Sequence, residues 1–334
     1  MFANRFHPLL KTTRYVAANL ACACALMPGA GFAAVTTVLM ADDTAPHAEF
    51  VRQLRETQEA GSRLELINLA ADRPGGESVD EPHAAGNASS RAARPAVPSD
   101  VPITVAVGVN AARSAIERPG QDPLILAMLS RLDYERLKDN PALRRPDRWI
   151  GVLLREPSMA DQLAVIDAVM PQKRRLGVVA TTESEPMVRE LQRAANGWKL
   201  QVEYAPDAKS LASALRQLVP RSDALMVLPD LIGDSQPATL AVLRAGASAG
   251  LPVFGTSDGL VRSGGLAAAV STPAQLARQA RLLGLKLASS SGTGGVLVEA
   301  ATPATVRVNP TVARGLGMRL PEEQELTERV TAIR

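Results

Sequence analysis

The sequence predicts an α/β protein of two lobes built on parallel sheets, and three observations carry that expectation. Apolar runs of strand length alternate with segments of helical period along the chain, the pattern of repeated strand–helix units. The alternation runs through twice, with a change of lobe expected near residues 150–160. The 334 residues are 46% hydrophobic and 21% charged, enough to fill about two cores of domain size.

Taken in order, "AVTTVLM" (34–40) is a first strand, with Asp42 and Asp43 just past its end. "PHAEFVRQLRETQEA" (46–60) places Phe50, Val51 and Leu54 at helical spacing, and "RLELINLA" (63–70) alternates like a strand. "ITVAVGV" (103–109) leads into the helix "NAARSAIER" (110–118), then the apolar run "PLILAML" (123–129). "WIGVLL" (149–154) precedes the amphipathic helix "SMADQLAVIDAVM" (158–170). The second series has strands at 175–181, 199–205, 223–229 and 251–255, with helices at 185–196, 208–219 and 236–249 between them. "PAQLARQARLLGLKLA" (273–288) is one more helix, and "SSSGTGG" (289–295) a loop.

Two segments fall outside this rhythm. Residues 1–33 have a basic start (Arg5, Lys11, Arg14), an apolar stretch and small residues at Gly31 and Ala33, which predict a secretory signal cleaved before Ala34. Asn19 and Pro28 interrupt the stretch before it reaches the ~20 apolar residues of a membrane span. Residues 71–100 are dominated by Pro, Gly, Ser and Ala without apolar period, and predict a surface loop.

Charge and composition exclude several classes. Arg5, Lys11 and Arg14 lie in the signal, so the remaining chain has as many bases as acids, 34 of each. Near neutrality and with 3% aromatics, it offers neither the basic footprint nor the stacking platforms of a nucleic-acid binder. Both cysteines, Cys22 and Cys24, lie in the signal, where Asn19 and Ala21 replace the Leu of a lipidation motif, so no lipid anchor, disulfide or Cys nucleophile is expected. No metal or cofactor is expected either: His47 and His83 are scattered, and "GTGG" (292–295) lacks the strand and helix that would make it a phosphate loop.

In open parallel sheets a ligand binds beyond the carboxyl ends of the strands. Those positions hold Asp42, Asp43, Asn110, Thr181, Glu183, Asp230, Ser257 and Asp258, nearly all small or hydrogen-bonding. Individually each has a plain structural alternative, such as Asn110 as a helix cap or Asp230 as a turn cap; together they predict a polar cleft. Asp230, at the end of an apolar strand, is the expected anchor for a cationic group, with Ser257 adding one hydrogen bond. Gly255-Thr256-Ser257-Asp258-Gly259 fits the G-x-S-x-G elbow of hydrolases. That elbow needs a downstream His and a helix directly after the turn; the chain has no His after His83, and "LVRSGGLAAAV" reads toward another strand. Ser257 is therefore not read as a nucleophile, and no enzymatic activity is expected.

The series "SDALMVLPD", "AGLPVFGTSDGLVRSGGLAAAVSTPAQLARQA" and "VRVNPTVARGLGMRLPEE", with "VLMADDTAPHAEFV" and "QLAVIDAVMPQKRRLGVVAT" before it, resembles the substrate-binding proteins of ABC transporters, in the branch related to tryptophan-type amino-acid binders. The resemblance implies the type I periplasmic-binding fold: two Rossmann-like lobes joined by a hinge that closes over a ligand. It implies a first lobe of 34–152 plus about 256–300 and a second of 153–255 plus about 301–334. It also implies a periplasmic protein that captures a small polar ligand, amino-acid-like or another organic solute, for an inner-membrane ABC permease. The alternative is a ligand sensor without transport, working with a membrane sensor kinase. Arg155-Glu156-Pro157 stands where many members show Asp-Gln-Pro, and Asp161 where an Arg often precedes the Gln-Leu pair.

Overall fold

The computed structural model describes residues 35–58, 62–69, 102–292 and 294–332. The expected signal with Cys22 and Cys24, and the loop 71–100 with His83, lie outside the described residues. The chain begins with β1 (Val35–Met40), α1 (Ala45–Glu56), β2 (Arg63–Asn68), β3 (Ile103–Val107), α2 (Gly108–Glu117), β4 (Leu124–Leu129), α3 (Arg131–Leu137) and β5 (Ile150–Pro157). It continues with α4 (Met159–Val169), β6 (Arg175–Ala180), α5 (Glu185–Ala194), β7 (Lys199–Tyr204), α6 (Ala208–Leu218), β8 (Ala224–Val227) and α7 (Gln236–Ala249). Next are β9 (Val253–Phe254), α8 (Asp258–Arg262), β10 (Ala267–Val270), α9 (Pro273–Ala288), β11 (Val296–Ala301), β12 (Thr305–Val308), α10 (Pro310–Gly315) and α11 (Glu323–Ala332).

These strands form two six-stranded sheets, ordered β11-β5-β4-β3-β1-β2 and β12-β10-β9-β8-β6-β7. The first is parallel throughout its described pairs. In the second, β12 runs antiparallel to β10 while the other pairs are parallel. Both lobes thus repeat one doubly wound order, with the strand order reversing between β1 and β3 and between β6 and β8.

Burial on both faces explains why the strands read as unbroken apolar runs. In β1, Val38 and Met40 pack toward Phe50 of α1 and Leu276 of α9, while Leu39 packs toward Ala111 and Ile116 of α2. In the second lobe, α4, α5 and α11 cover one face of the sheet and α6 and α7 the other. Local geometry fixes two junctions. β3 passes into α2 at Gly108, whose φ of +81° and contact with the His47 ring leave no room for a Cβ. In β4, Met128 adopts φ +62° where the pairing with β5 slips by one residue, a conformation that costs about 1–3 kcal/mol and collects at functional sites.

The passages between lobes differ from the expected boundaries. β5 stays in the first sheet to Pro157, five residues beyond 152. The return, expected near 256, comes only after Val270, because β9 and β10 both belong to the second sheet and α9 is the first element back on the first lobe. The last passage lies between Ala301 and Thr305. The expectation that no helix directly follows the Gly255–Gly259 turn is overturned: α8 begins right after Ser257, whose Oγ accepts from the Leu260 amide (3.2 Å), and the strand-like run after Gly264-Gly265 is β10, so the lack of a His after His83 is the ground that remains against an elbow. Likewise α2 starts at Gly108, so Asn110 lies inside the helix instead of capping it.

Candidate functional site

The two lobes belong to one compact unit, and a cavity of about 470 Å³ lies between them. Its walls come from the carboxyl ends of β4 (Met128), β5 (Arg155, Glu156, Pro157), β8 (Val227, Leu228) and β10 (Val270, Ser271, Thr272). Pro46 at the start of α1, Leu276 of α9, and Thr256, Ser257 and Asp258 after β9 complete it, together with Asp234, Thr305 and Arg307. All three passages between the lobes border the cavity.

The residues read from the sequence fall into three groups. Ser257 and Asp258 line the cavity. Asp258 pairs with Arg262 and, at 3.6 Å, with Arg307. Asp42 sits at the end of β1 and holds Nδ1 of His47 at 2.5 Å, while Asp43 and Asn110 are exposed, and none of these three lines the cavity. Glu183 faces the first lobe, with its carboxylate 2.5 Å from Arg136 of α3. A second interlobe pair, Arg131 to Glu190 at 2.8 Å, lies next to it and is less exposed.

Asp230 and Thr181 do not open onto this cavity. The Asp230 side chain is fully buried: Oδ1 accepts from the amides of Ile232 (2.9 Å) and Gly233 (3.2 Å). Oδ2 accepts from the Ser184 hydroxyl and, at 3.4 Å, from the Thr181 amide, and the Thr181 hydroxyl lies 2.8 Å from Ser184 Oγ. Burial raises the affinity of Asp230 for a proton, against the four bonds that lower it. The carboxylate that was expected to hold a ligand cation instead ties the end of β6 to the turn after β8.

Among the polar residues that line the cavity and that the sequence did not single out as ligand contacts are Arg155, Glu156, Ser271 and Arg307. Arg155 Nε donates to Glu156 Oε1 at 2.6 Å, and Glu156 Oε2 is buried without a protein partner. Ser271 Oγ is likewise buried and unpartnered. Arg307 adds a guanidinium shared between Asp258 and Glu323. Burial raises the Glu156 carboxyl above its ordinary range, with Arg155 opposing. The sequence held a signal for the first two: Arg155 and Glu156 are the positions where the chain departs from the Asp-Gln-Pro pattern.

A larger space, about 730 Å³, lies wholly on the second lobe between α6 and α7, with Leu211, Leu215, Ile232 and Ala241 in its walls. It is the more voluminous and mainly apolar, with Thr181, Asp207, Arg216, Ser235 and Ser248 as its polar lining, so Thr181 of the expected set borders this space and not the interlobe cavity. Among the described residues no group of His, Cys, Asp and Glu could hold a metal ion, and no described helix is long and apolar enough to cross a membrane.

Residues 90–328 match the family model "ABC transporter substrate binding protein". A search among curated proteins gave no match. Among solved structures, the ligand-free, open form of CD0873, a substrate binding protein with adhesive properties from Clostridium difficile, is similar with TM-score 0.60 at 17% identity, over 87% of this chain and 97% of that one. The ABC domain in complex with L-Trp from Streptococcus pneumonia is similar with TM-score 0.52 at 17% identity, over 88% and 98%. A conserved domain protein from Vibrio cholerae gives 0.52 at 17% identity, over 89% and 98%. At such identity the likeness is one of fold.

Proposed function

The chain belongs to the ABC transporter substrate binding protein family, and we propose that it captures a small polar solute between its lobes and delivers it to an inner-membrane ABC importer. The observation that carries this reading is the interlobe cavity, bordered by all three passages of the chain and lined by charged and hydroxyl-bearing residues, among them Arg155, Glu156, Ser257, Asp258, Ser271 and Arg307. Of the residues expected from sequence, Ser257 and Asp258 belong to the proposed contact set, and Asp42, Asp43, Asn110 and Glu183 to the rim. A family of solute-binding proteins is not a family of enzymes, and we assign no reaction to the site.

Export to the periplasm is part of the proposal, with a mature chain beginning at Ala34; intact mass of the osmotic-shock fraction checks it, and a retained leader contradicts it. The binding reading is tested by a thermal-shift screen of small polar solutes, since a molecule bound only by the native state raises the melting temperature. A solute at ~100 times its Kd stabilises by about 2.7 kcal/mol, a shift of several degrees. A screen of amino acids, amines, organic acids and sugars without any shift contradicts the reading.

A further inference from the structure

We propose that the groove between α6 and α7 is a second binding site, for a long-chain aliphatic monocarboxylate whose chain lies along the groove and whose carboxylate meets Arg216. The site is separate from the interlobe cavity and does not rest on what that cavity holds.

The groove follows from the side chains that the two helices place in it. α6 and α7 each follow a strand of one parallel sheet, so they run side by side in the same direction. α7 turns Ala238, Ala241, Ala245 and Ser248 to the groove, at spacings of three and four that form one small-residue face. Its larger Val242 and Leu243 go to the core instead. Against that face stand Leu211, Leu215 and Val219, and about 730 Å³ is left between them. Sites for small molecules have this size and make-up, concave and mostly apolar with a few polar groups. Leu231, in the same wall, is 53% exposed, so an apolar occupant would cover a side chain that water now meets.

The two ends of the groove differ in charge. Asp207 caps the start of α6, its carboxylate accepting from the Ser210 amide (2.8 Å) and hydroxyl (2.6 Å). Arg216 stands in the last turn of α6 and has no ion-pair or hydrogen-bond partner among the described residues, whereas Arg221 pairs with Glu203 at 2.6 Å. Among the described residues these two, Asp207 and Arg216, are the charged ones in the wall. The unmet charge is positive, and a carboxylate matches the paired donors of a guanidinium. The last carbonyls of α6 would repel an anion, but that of Gln217 is taken by Arg221 Nε and that of Leu218 by Ser222 Oγ, both at 2.8 Å. From Asp207 to Arg216 the helix rises about 13 Å. An extended chain covers that in about eleven single bonds, at roughly 3.6 Å per three bonds, which is the length of dodecanoate. A second carboxylate at the far end would meet Asp207, so the site fits a monoacid better than a diacid.

The test is calorimetry on the mature chain with submicellar dodecanoate, and with butyrate, dodecylamine, dodecanol and dodecanedioate as matched probes. Dodecanoate is expected to bind, each methylene removed costing about two- to four-fold in affinity, so that butyrate shows no binding. The amine and the diacid should bind more weakly than the monoacid. Arg216→Gln, at an exposed position, should weaken dodecanoate by about three- to ten-fold and leave dodecanol unchanged. Ala241→Leu combined with Ala245→Leu fills the groove and should abolish binding of both. The unliganded melting temperature of this double variant should hold or rise, because the added side chains bury apolar surface, and a polar solute from the thermal screen should bind it as it binds the parent. If the double variant does not fold, Arg216→Gln alone decides. Dodecylamine binding as tightly as dodecanoate, or dodecanoate indifferent to Arg216→Gln or to the filled groove, overturns the proposal. Absence of dodecanoate binding also overturns it, and a dimer that the filled groove abolishes would then assign the groove to a second copy of the chain.

Discussion

Asp230 shows how a residue at the end of an apolar strand can be polar for the sake of the fold. Its two oxygens receive the amides of Ile232, Gly233 and Thr181 and the hydroxyl of Ser184, all inside the second lobe. Asp230→Ala leaves those four donors without an acceptor, and should cost on the order of 2–4 kcal/mol of stability in urea unfolding. Ligand affinity should stay within about two-fold, because no ligand contact is removed; a larger fall in affinity with unchanged stability would contradict the placement. Asp223 works in a similar way at the edge of the lobe. Hydrogen bonds from the Arg175 side chain and from the Arg174 and Arg175 amides hold its carboxyl down to about 2, below the usual 3.8. The ionised form is favoured by folding, so its contribution is complete above pH ~4 and is lost as the pH falls through about 2. Asp223→Asn should therefore be less stable than the parent at pH 6, with the gap closing between pH ~4 and about 2. A gap constant across that window would show that the carboxylate carries no such linkage.

Among the elements, α4 joins the sequence pattern most closely to the geometry of the passages. Ser158 and Asp161 form a reciprocal cap at its start, which accounts for the Asp that stands in place of the more usual Arg. Gln162 then turns its carboxamide to β10: Nε2 donates to the Ala269 carbonyl (2.8 Å) and Oε1 accepts from the Ala269 amide (3.0 Å), so a side chain acts as a short stretch of strand. Gln279 of α9 repeats the device at the last passage, bonding Ala300 and Thr302. Gln162→Leu should lose on the order of 2–4 kcal/mol, with both Ala269 groups left unpaired in the core; a loss below ~1 kcal/mol would mean that the strand finds other partners. Strands and long helices were legible because each carries its own periodicity, as in the apolar runs of β1, β4 and β6. α3 and α8 were not, since helices of seven and five residues show less than two turns of pattern. β11 and β12 were missed as strands because their partners, β5 and β10, come much earlier in the chain.

For the whole molecule, two lobes of one topology face each other across the segments that connect them, and the cavity lies where those segments meet. The sequence led to the right ends of the strands, because the rule for parallel sheets is general. It did not separate side chains that turn inward, such as Thr181 and Asp230, from those on the cavity wall, because that depends on a hydrogen-bond network closed between distant segments. Glu156 and Ser271 escaped for a related reason: their place on the cavity wall follows from where the chain passes between the lobes, at the ends of β5 and β10. Hydrogen–deuterium exchange, with and without a solute from the thermal screen, decides between the interlobe cavity and the larger groove on the second lobe. The account predicts slowed exchange from both lobes, at residues 126–130, 154–158, 256–260 and 270–276, with α6 and α7 little changed. Protection confined to 211–219 and 238–249 would place the ligand in the groove and contradict it.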